Sequence, residues 1–105
     1  QKALKIIRSR DFPTELSSIH QGLGQLYIKL NGHREALLNL NKALAIRLEK
    51  AYWSDACESY LTLYVLYTQM GDEKRANKVL KEGKALSVER QIPHREAEFD
   101  KFLQQ

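Results

Sequence analysis

The sequence predicts an all-α fold in which antiparallel helix pairs stack side by side as a repeat array. Three observations lead to this prediction: a composition rich in helix-forming residues, a 40-residue internal repeat, and apolar residues spaced by three and four positions. Of the 105 residues, 43% are hydrophobic, 5 are Gly and 2 are Pro. Because many short strands would need more turn residues, an all-β fold is excluded, and the length suits one small domain, residues 1–105.

The repeat emerges when the chain is aligned with itself at an offset of 40 positions. Thirteen of the 65 overlapped positions are then identical, and most of them are small or apolar residues of the kind that pack. A bulky residue followed by a presumed helix start recurs in register at Phe12-Pro13-Thr14, Tyr52-Trp53-Ser54 and Ile92-Pro93-His94. Proline suits the first turn of a helix because the hydrogen bond lost with its N–H is not made there.

Each period divides into two helices separated by turn residues. Asn31-Gly32 interrupts the first apolar pattern, and both residues tolerate the left-handed conformation that ends a helix. Gly71 marks the corresponding break, and Asp72 can cap the following helix. Only the repeat register places a turn near residues 50–53, where Gly and Pro are missing. The predicted elements are a helix at 2–10, a pair spanning 13–50 (13–30 with 33–50), a pair spanning 54–90 (54–70 with 73–90) and a terminal helix at 93–104.

The ordered residues of both periods resemble the tetratricopeptide repeat family. The first period contributes Leu23-Gly24-Gln25-Leu26-Tyr27, Leu30-Asn31-Gly32, Glu35-Ala36-Leu37 and Lys42-Ala43-Leu44, and the second keeps Leu63, Tyr67, Met70-Gly71-Asp72, Ala76, Leu80 and Gly83. The resemblance covers two full repeats and two half repeats. It implies a right-handed superhelix of stacked helix pairs, that is, an α-α solenoid fragment.

The sequence departs from this family in two respects. The period is 40 rather than the usual 34 residues, and Tyr64 stands where the first period has the small Gly24. Longer repeats of this kind resemble those of bacterial signalling proteins, in sensor regions joined to diguanylate cyclases or histidine kinases and in cytoplasmic receptors for signalling peptides.

The sequence offers no pattern typical of a catalytic, metal or cofactor site. His20, His33 and His94 form no pair at helical spacing and lie far from Cys57, so neither a zinc site nor a Cys–His nucleophile is indicated. Gly22-Leu23-Gly24 lies inside a helix pattern without a preceding strand, which excludes a phosphate-binding loop. We therefore expect a protein that is not an enzyme and needs no cofactor or metal.

The charge distribution gives little support to nucleic-acid binding. The net charge is +4, and its densest cluster is Lys2, Lys5, Arg8 and Arg10. Such a patch can attract nucleic acid or an acidic partner, but a solvated helix face is the simpler interpretation. The tyrosines of 54–70 lack the interleaved Lys and Arg that base stacking needs, so we expect no direct binding of nucleic acid.

Membrane and compartment signals are also missing from the sequence. No apolar run approaches the roughly 18 residues that span a bilayer, no signal peptide is recognisable, and one cysteine cannot form an internal disulfide. The expectation is a piece of a larger cytoplasmic protein without membrane insertion, or a periplasmic piece if it is attached to a membrane sensor.

The resemblance implies a partner-binding groove lined by the first helix of each pair. The candidate groove residues are Ser18, Gln21, Gln25, Ile28, Lys29, Glu58, Leu61, Val65, Thr68 and Gln69. The core stripe leaves these positions free, although the polar face of a surface helix explains them equally well. Because the surface carries a single cation, Lys29, the clamp that this family uses to grip a C-terminal carboxylate is disfavoured. Leu61 and Val65 predict a small apolar contact patch.

The resulting functional hypothesis is a protein- or peptide-binding scaffold, the sensory or interaction region of a larger signalling or regulatory protein. The alternative is a structural spacer or dimerisation segment between domains. Because the outermost helices lack partners, self-association through the ends of the array is expected as well. It would involve the apolar side chains of Leu4, Ile7, Phe99, Phe102 and Leu103.

Overall fold

The computed structural model describes residues 12–104, which form five α-helices and contain no strand. The helices are α1 (Pro13–Lys29), α2 (His33–Glu49), α3 (Trp53–Gln69), α4 (Glu73–Glu89) and α5 (Pro93–Leu103). The predicted all-α class is therefore confirmed. The helix predicted at 2–10 lies outside the described residues, as do Leu4 and Ile7.

The helices begin at intervals of 20 residues, and every turn between them closes in the same way. The residue in the left-handed conformation is Asn31, Ala51, Gly71 or Gln91, with φ of 60°, 62°, 77° and 56°. In each turn the N–H of the next residue donates to a carbonyl five positions back, for example from Gly32 to Tyr27 at 2.8 Å. This bond is the hallmark of the Schellman motif, which satisfies carbonyls that the helix end leaves unpaired.

The helices pack in adjacent pairs, α1 with α2 and α3 with α4, and the pairs are joined by packing of α2 on α3. α5 packs on α4 in the same manner. The buried apolar residues form two clusters, each at a junction of three helices. The first comprises Ile28, Ala36, Leu40, Leu63 and Leu66, and the second comprises Cys57, Leu80 and Phe99.

Two glycines allow helices to approach closely. A Cβ on Gly24 would lie 2.5 Å from Cγ of Leu40, so α2 can pack on α1 only without it. A Cβ on Gly83 would overlap the ring of Phe99, which explains a residue that is costly inside a helix. Phe99 is fully buried, so the expectation that it lacks neighbours is wrong.

Tyr64, which replaces the small residue of the first period, packs against α5. Its ring centroid lies 4.9 Å from that of Phe102, at an interplanar angle of 51°. The second pair thus accommodates the larger side chain through an aromatic contact with the next helix.

α1 carries an exposed apolar face, here termed the α1 ridge. Its side chains are 37–64% exposed and follow helical spacing; they are Phe12, Ile19, Leu23, Leu26 and Leu30. Leu63 and Leu66 lie 40 positions after Leu23 and Leu26, and both are buried against α2. The ridge therefore has the pattern of a helix-packing face.

Candidate partner-binding groove

A groove of about 610 Å³ runs across the first helices α1 and α3 and the terminal helix α5. It is lined by Gln25, Ile28, Lys29, Leu61, Thr62, Val65, Glu98, Lys101 and Phe102. Five of the ten residues predicted from the sequence are among them: Gln25, Ile28, Lys29, Leu61 and Val65. The structure thus brings half of the predicted set together on one surface.

The floor of the groove is apolar and continuous with the core. Ile28 is 9% exposed and belongs to the first core cluster, whereas Leu61 and Phe102 are half-buried beside the second. Val65 is 43% exposed and contributes the most accessible apolar surface. Apolar side chains in a concave site gain about 25 cal/mol for each Å² that a ligand buries.

Gln21 differs from the prediction, because its amide lies inside the protein. The side chain is 4% exposed, its Nε2 donates to the Thr62 hydroxyl at 2.9 Å, and its Oε1 accepts from Ser59 Oγ at 2.8 Å. An amide with its hydrogen bonds already made in the interior is not free for a partner. Gln21 instead holds Thr62 at the edge of the groove.

Arg47 is the centre of a buried polar network that was not predicted from the sequence. The residue is 3% exposed, and its Nη1 donates to the Asp55 carbonyl at 2.9 Å and to Ser59 Oγ at 3.0 Å. Nη1 also pairs with Glu58 at 3.1 Å, and Nε donates to Ser17 Oγ at 3.3 Å. The guanidinium therefore links α1, α2 and α3 behind the groove. The only signal in the sequence was the position of Arg47 between the apolar Ile46 and Leu48.

The other predicted residues lie outside the groove. Ser18, Thr68 and Gln69 are exposed but do not line it. Glu58 is held by Arg47 and also lies beyond its edge.

α5 completes the groove with three residues that were not predicted: Glu98, Lys101 and Phe102. Glu98 and Lys101 lie 40 positions after the predicted Glu58 and Leu61, so the repeat register would have identified them. Phe102 corresponds to Thr62, which also lines the groove and was likewise not predicted.

The acidic and basic groups around the groove differ in their pairing. Glu58 accepts from Arg47 at 3.1 Å, and Glu98 accepts from Arg95 at 2.9 Å. Lys29 and Lys101 are exposed and form no ion pair within 4.0 Å with any residue of 12–104. Both local carboxylates thus have a cationic partner within the protein, whereas the two ammonium groups have no carboxylate partner among residues 12–104.

The Cys57 thiol and the His20 imidazole lie in different environments. Burial raises the pKa of the Cys57 thiol to about 11, with a smaller opposing effect from Arg95, so the thiolate nucleophile is disfavoured at neutral pH. His20 Nδ1 lies 2.9 Å from Asn39 Oδ1, away from the other histidines in sequence. Within residues 12–104, no three His, Cys, Asp or Glu side chains are grouped to hold a metal ion.

Comparisons of the chain with family models, with characterised proteins and with solved structures gave no match. None of the helices in the described part of the chain combines the length and apolarity needed to cross a bilayer.

Proposed function

We propose that this chain is a protein-binding scaffold that holds a peptide segment of a partner in the groove across α1, α3 and α5. The observation that carries the proposal is the concave surface itself, about 610 Å³ in volume, with an apolar floor and a polar rim. Ligand sites characteristically combine a largely apolar surface with a few polar groups that fix orientation.

The chemistry of the rim suits a polypeptide. The Gln25 amide can donate to and accept from a peptide backbone, and the Thr62 hydroxyl offers a further polar contact. Leu61 and Val65 supply apolar contact area between them. Because Arg47 and Gln21 fix the helices behind the groove, little ordering entropy would be lost when a partner binds.

The proposal includes assignment to tetratricopeptide-type repeats and a place in a larger signalling or regulatory protein, as its sensory or interaction region. The assignment is supported by the uniform 20-residue helix interval and the close helix approach at Gly24. The family resemblance of the motifs points the same way. Repeats of this type present their first helices to ligands, which agrees with the position of the groove.

The test uses a peptide selected from a random library on the immobilised chain, with affinity measured by calorimetry. Introducing charge into the floor with the double substitution Leu61→Lys and Val65→Lys should weaken binding at least tenfold, because two ammonium groups would replace the apolar contact. The matched control is Leu38→Lys with Val88→Lys, since both residues are half-exposed and lie outside the groove. Unchanged affinity in a folded groove variant would show that the contact lies elsewhere.

The α1 ridge favours a second candidate function, a spacer or dimerisation segment between domains. Three exposed apolar side chains of α1 and the two residues that flank the helix, Phe12 and Leu30, form an exposed apolar surface of the kind that marks contacts. This candidate predicts association through α1 rather than ligand binding in the groove.

A further inference from the structure

We propose that the segment bound in the groove is acidic, with an apolar anchor flanked on both sides by carboxylate side chains. This inference rests on the proposed function and adds the chemical class of the ligand. The apolar anchor would contact Leu61, Val65 and Phe102, and the carboxylates would contact Lys29 and Lys101.

The acidic side chains around the groove are paired with arginines, whereas Lys29 and Lys101 have no carboxylate partner among residues 12–104. The carboxylates of Glu58 and Glu98 form ion pairs with Arg47 and Arg95. Lys29 and Lys101 line the groove, are exposed, and have no carboxylate within 4.0 Å among residues 12–104. A ligand thus encounters two positive charges without a carboxylate partner in residues 12–104, whereas the partly exposed carboxylates of Glu58 and Glu98 are paired with arginines, so an acidic segment is favoured over a basic one.

The two lysines lie on opposite sides of the apolar floor. Lys29 lies in the last turn of α1 and Lys101 in the last turn of α5, whereas Leu61 and Val65 belong to α3. Contacts of α3 with both α1 and α5 place it between the other two helices. The order across the groove is therefore cation, apolar floor, cation.

The two lysines are also offset from each other along the helix axes. In the repeat register Lys101 corresponds to residue 61 and Lys29 to residue 69, a difference of eight positions, or about 12 Å along a helix axis. Because α3 lies between α1 and α5 and packed helix axes are about 8–10 Å apart, the lysines are also separated across the groove, so an extended segment needs more than about four residues to reach both. One terminal carboxylate cannot serve both lysines, so the acids belong to side chains on either side of the anchor.

The experiment titrates the isotope-labelled chain with synthetic peptides and follows the amide shifts of groove residues by NMR. The acidic probe has the sequence Glu-Glu-Ser-Leu-Leu-Ser-Glu-Glu, and both of its ends are blocked. In the basic probe every glutamate is replaced by lysine. A third probe lacks glutamate but has a free C-terminal carboxylate, which separates a chain terminus from side-chain acids.

We expect the acidic probe to bind about tenfold more tightly than the basic probe at low salt. Each of the two exposed ion pairs should raise the affinity about threefold, and the two effects multiply. The difference should shrink as salt is added, because exposed charges are screened. The double substitution Lys29→Glu and Lys101→Glu should reverse the preference. The matched control, Lys74→Glu with Lys78→Glu, changes exposed lysines of α4 outside the groove and should leave it unaltered.

The outcomes distinguish this inference from the proposed function. Equal binding of the acidic and basic probes, with shifts at Leu61 and Val65, would overturn the charge preference and leave the groove as a peptide site. Binding of the third probe as tight as that of the acidic probe would overturn the requirement for flanking side-chain acids. The absence of shifts at the groove with every probe would contradict both proposals.

Discussion

At the scale of single residues, Ala51 shows how the fold prevails over local preference. This alanine adopts φ of 62° at the turn between α2 and α3, a conformation that costs a residue with a Cβ roughly 1–2 kcal/mol. The corresponding residue of the next turn is Gly71, which pays no such cost. The turn forms nevertheless because the packing of α2 on α3 requires it.

We expect Ala51→Gly to increase the free energy of unfolding by about 0.5–1 kcal/mol, since relief of the strained φ outweighs the added entropy of the unfolded chain. The control Ala45→Gly, at an exposed position within α2, should lower stability by about 0.5–1 kcal/mol. Urea denaturation of both variants measures the effects. A loss of stability in both would show that residue 51 is not left-handed in solution.

At the scale of the elements, the close helix contacts depend on small side chains. Ala36 and Ala43 of α2 are completely buried. The carbonyl of Ala36 would lie 3.4 Å from a Cβ placed on Gly24, which shows how near the backbones of α1 and α2 approach. Interiors packed this tightly do not accept extra methylene groups without displacement.

Ala36→Leu and Ala43→Leu should each reduce the free energy of unfolding by about 1–3 kcal/mol, because the larger side chain overpacks the helix contact. Ala45→Leu on the exposed side of the same helix should change it by less than about 0.5 kcal/mol. Chemical denaturation curves provide the comparison. If all three variants had equal midpoints, the buried positions would have to be solvent-exposed instead.

The sequence predicted the elements better than it predicted the groove. Helix starts follow from local signals repeated in register, such as Pro13 and Pro93 at first turns, so they need no knowledge of tertiary packing. The burial of Arg47 and Gln21 depends on acceptors supplied by three different helices. No pattern within one helix reveals such a network, and both residues look like surface residues in the sequence.

At the scale of the whole molecule, the α1 ridge is the surface through which we expect copies of the chain to associate. Its leucine and isoleucine side chains are more exposed than the apolar residues at the same register in α3. Exposed packing faces of repeat proteins gain burial by stacking on another surface.

We expect concentration-dependent association of the chain in sedimentation experiments, and Ile19→Lys with Leu26→Lys should reduce it by placing charges on the ridge. Leu38→Lys, at an exposed apolar residue of α2, is the control and should leave association unchanged. A monomer at all concentrations would count against the ridge as a contact surface and against the spacer or dimerisation function.

The Arg47 network has a consequence for how such a chain can evolve. In the repeat register Arg47 corresponds to Ser87, and its acceptors Gln21 and Ser59 correspond to Leu61 and Phe99. The two junctions therefore use incompatible chemistry, one ionic and one aromatic. If the repeats were recombined so that Arg47 packed against Leu61 and Phe99, the guanidinium would be buried without hydrogen-bond acceptors, which is strongly destabilising. The repeats resemble one another in shape but are not interchangeable modules, and any viable duplication must copy a junction with both of its sides.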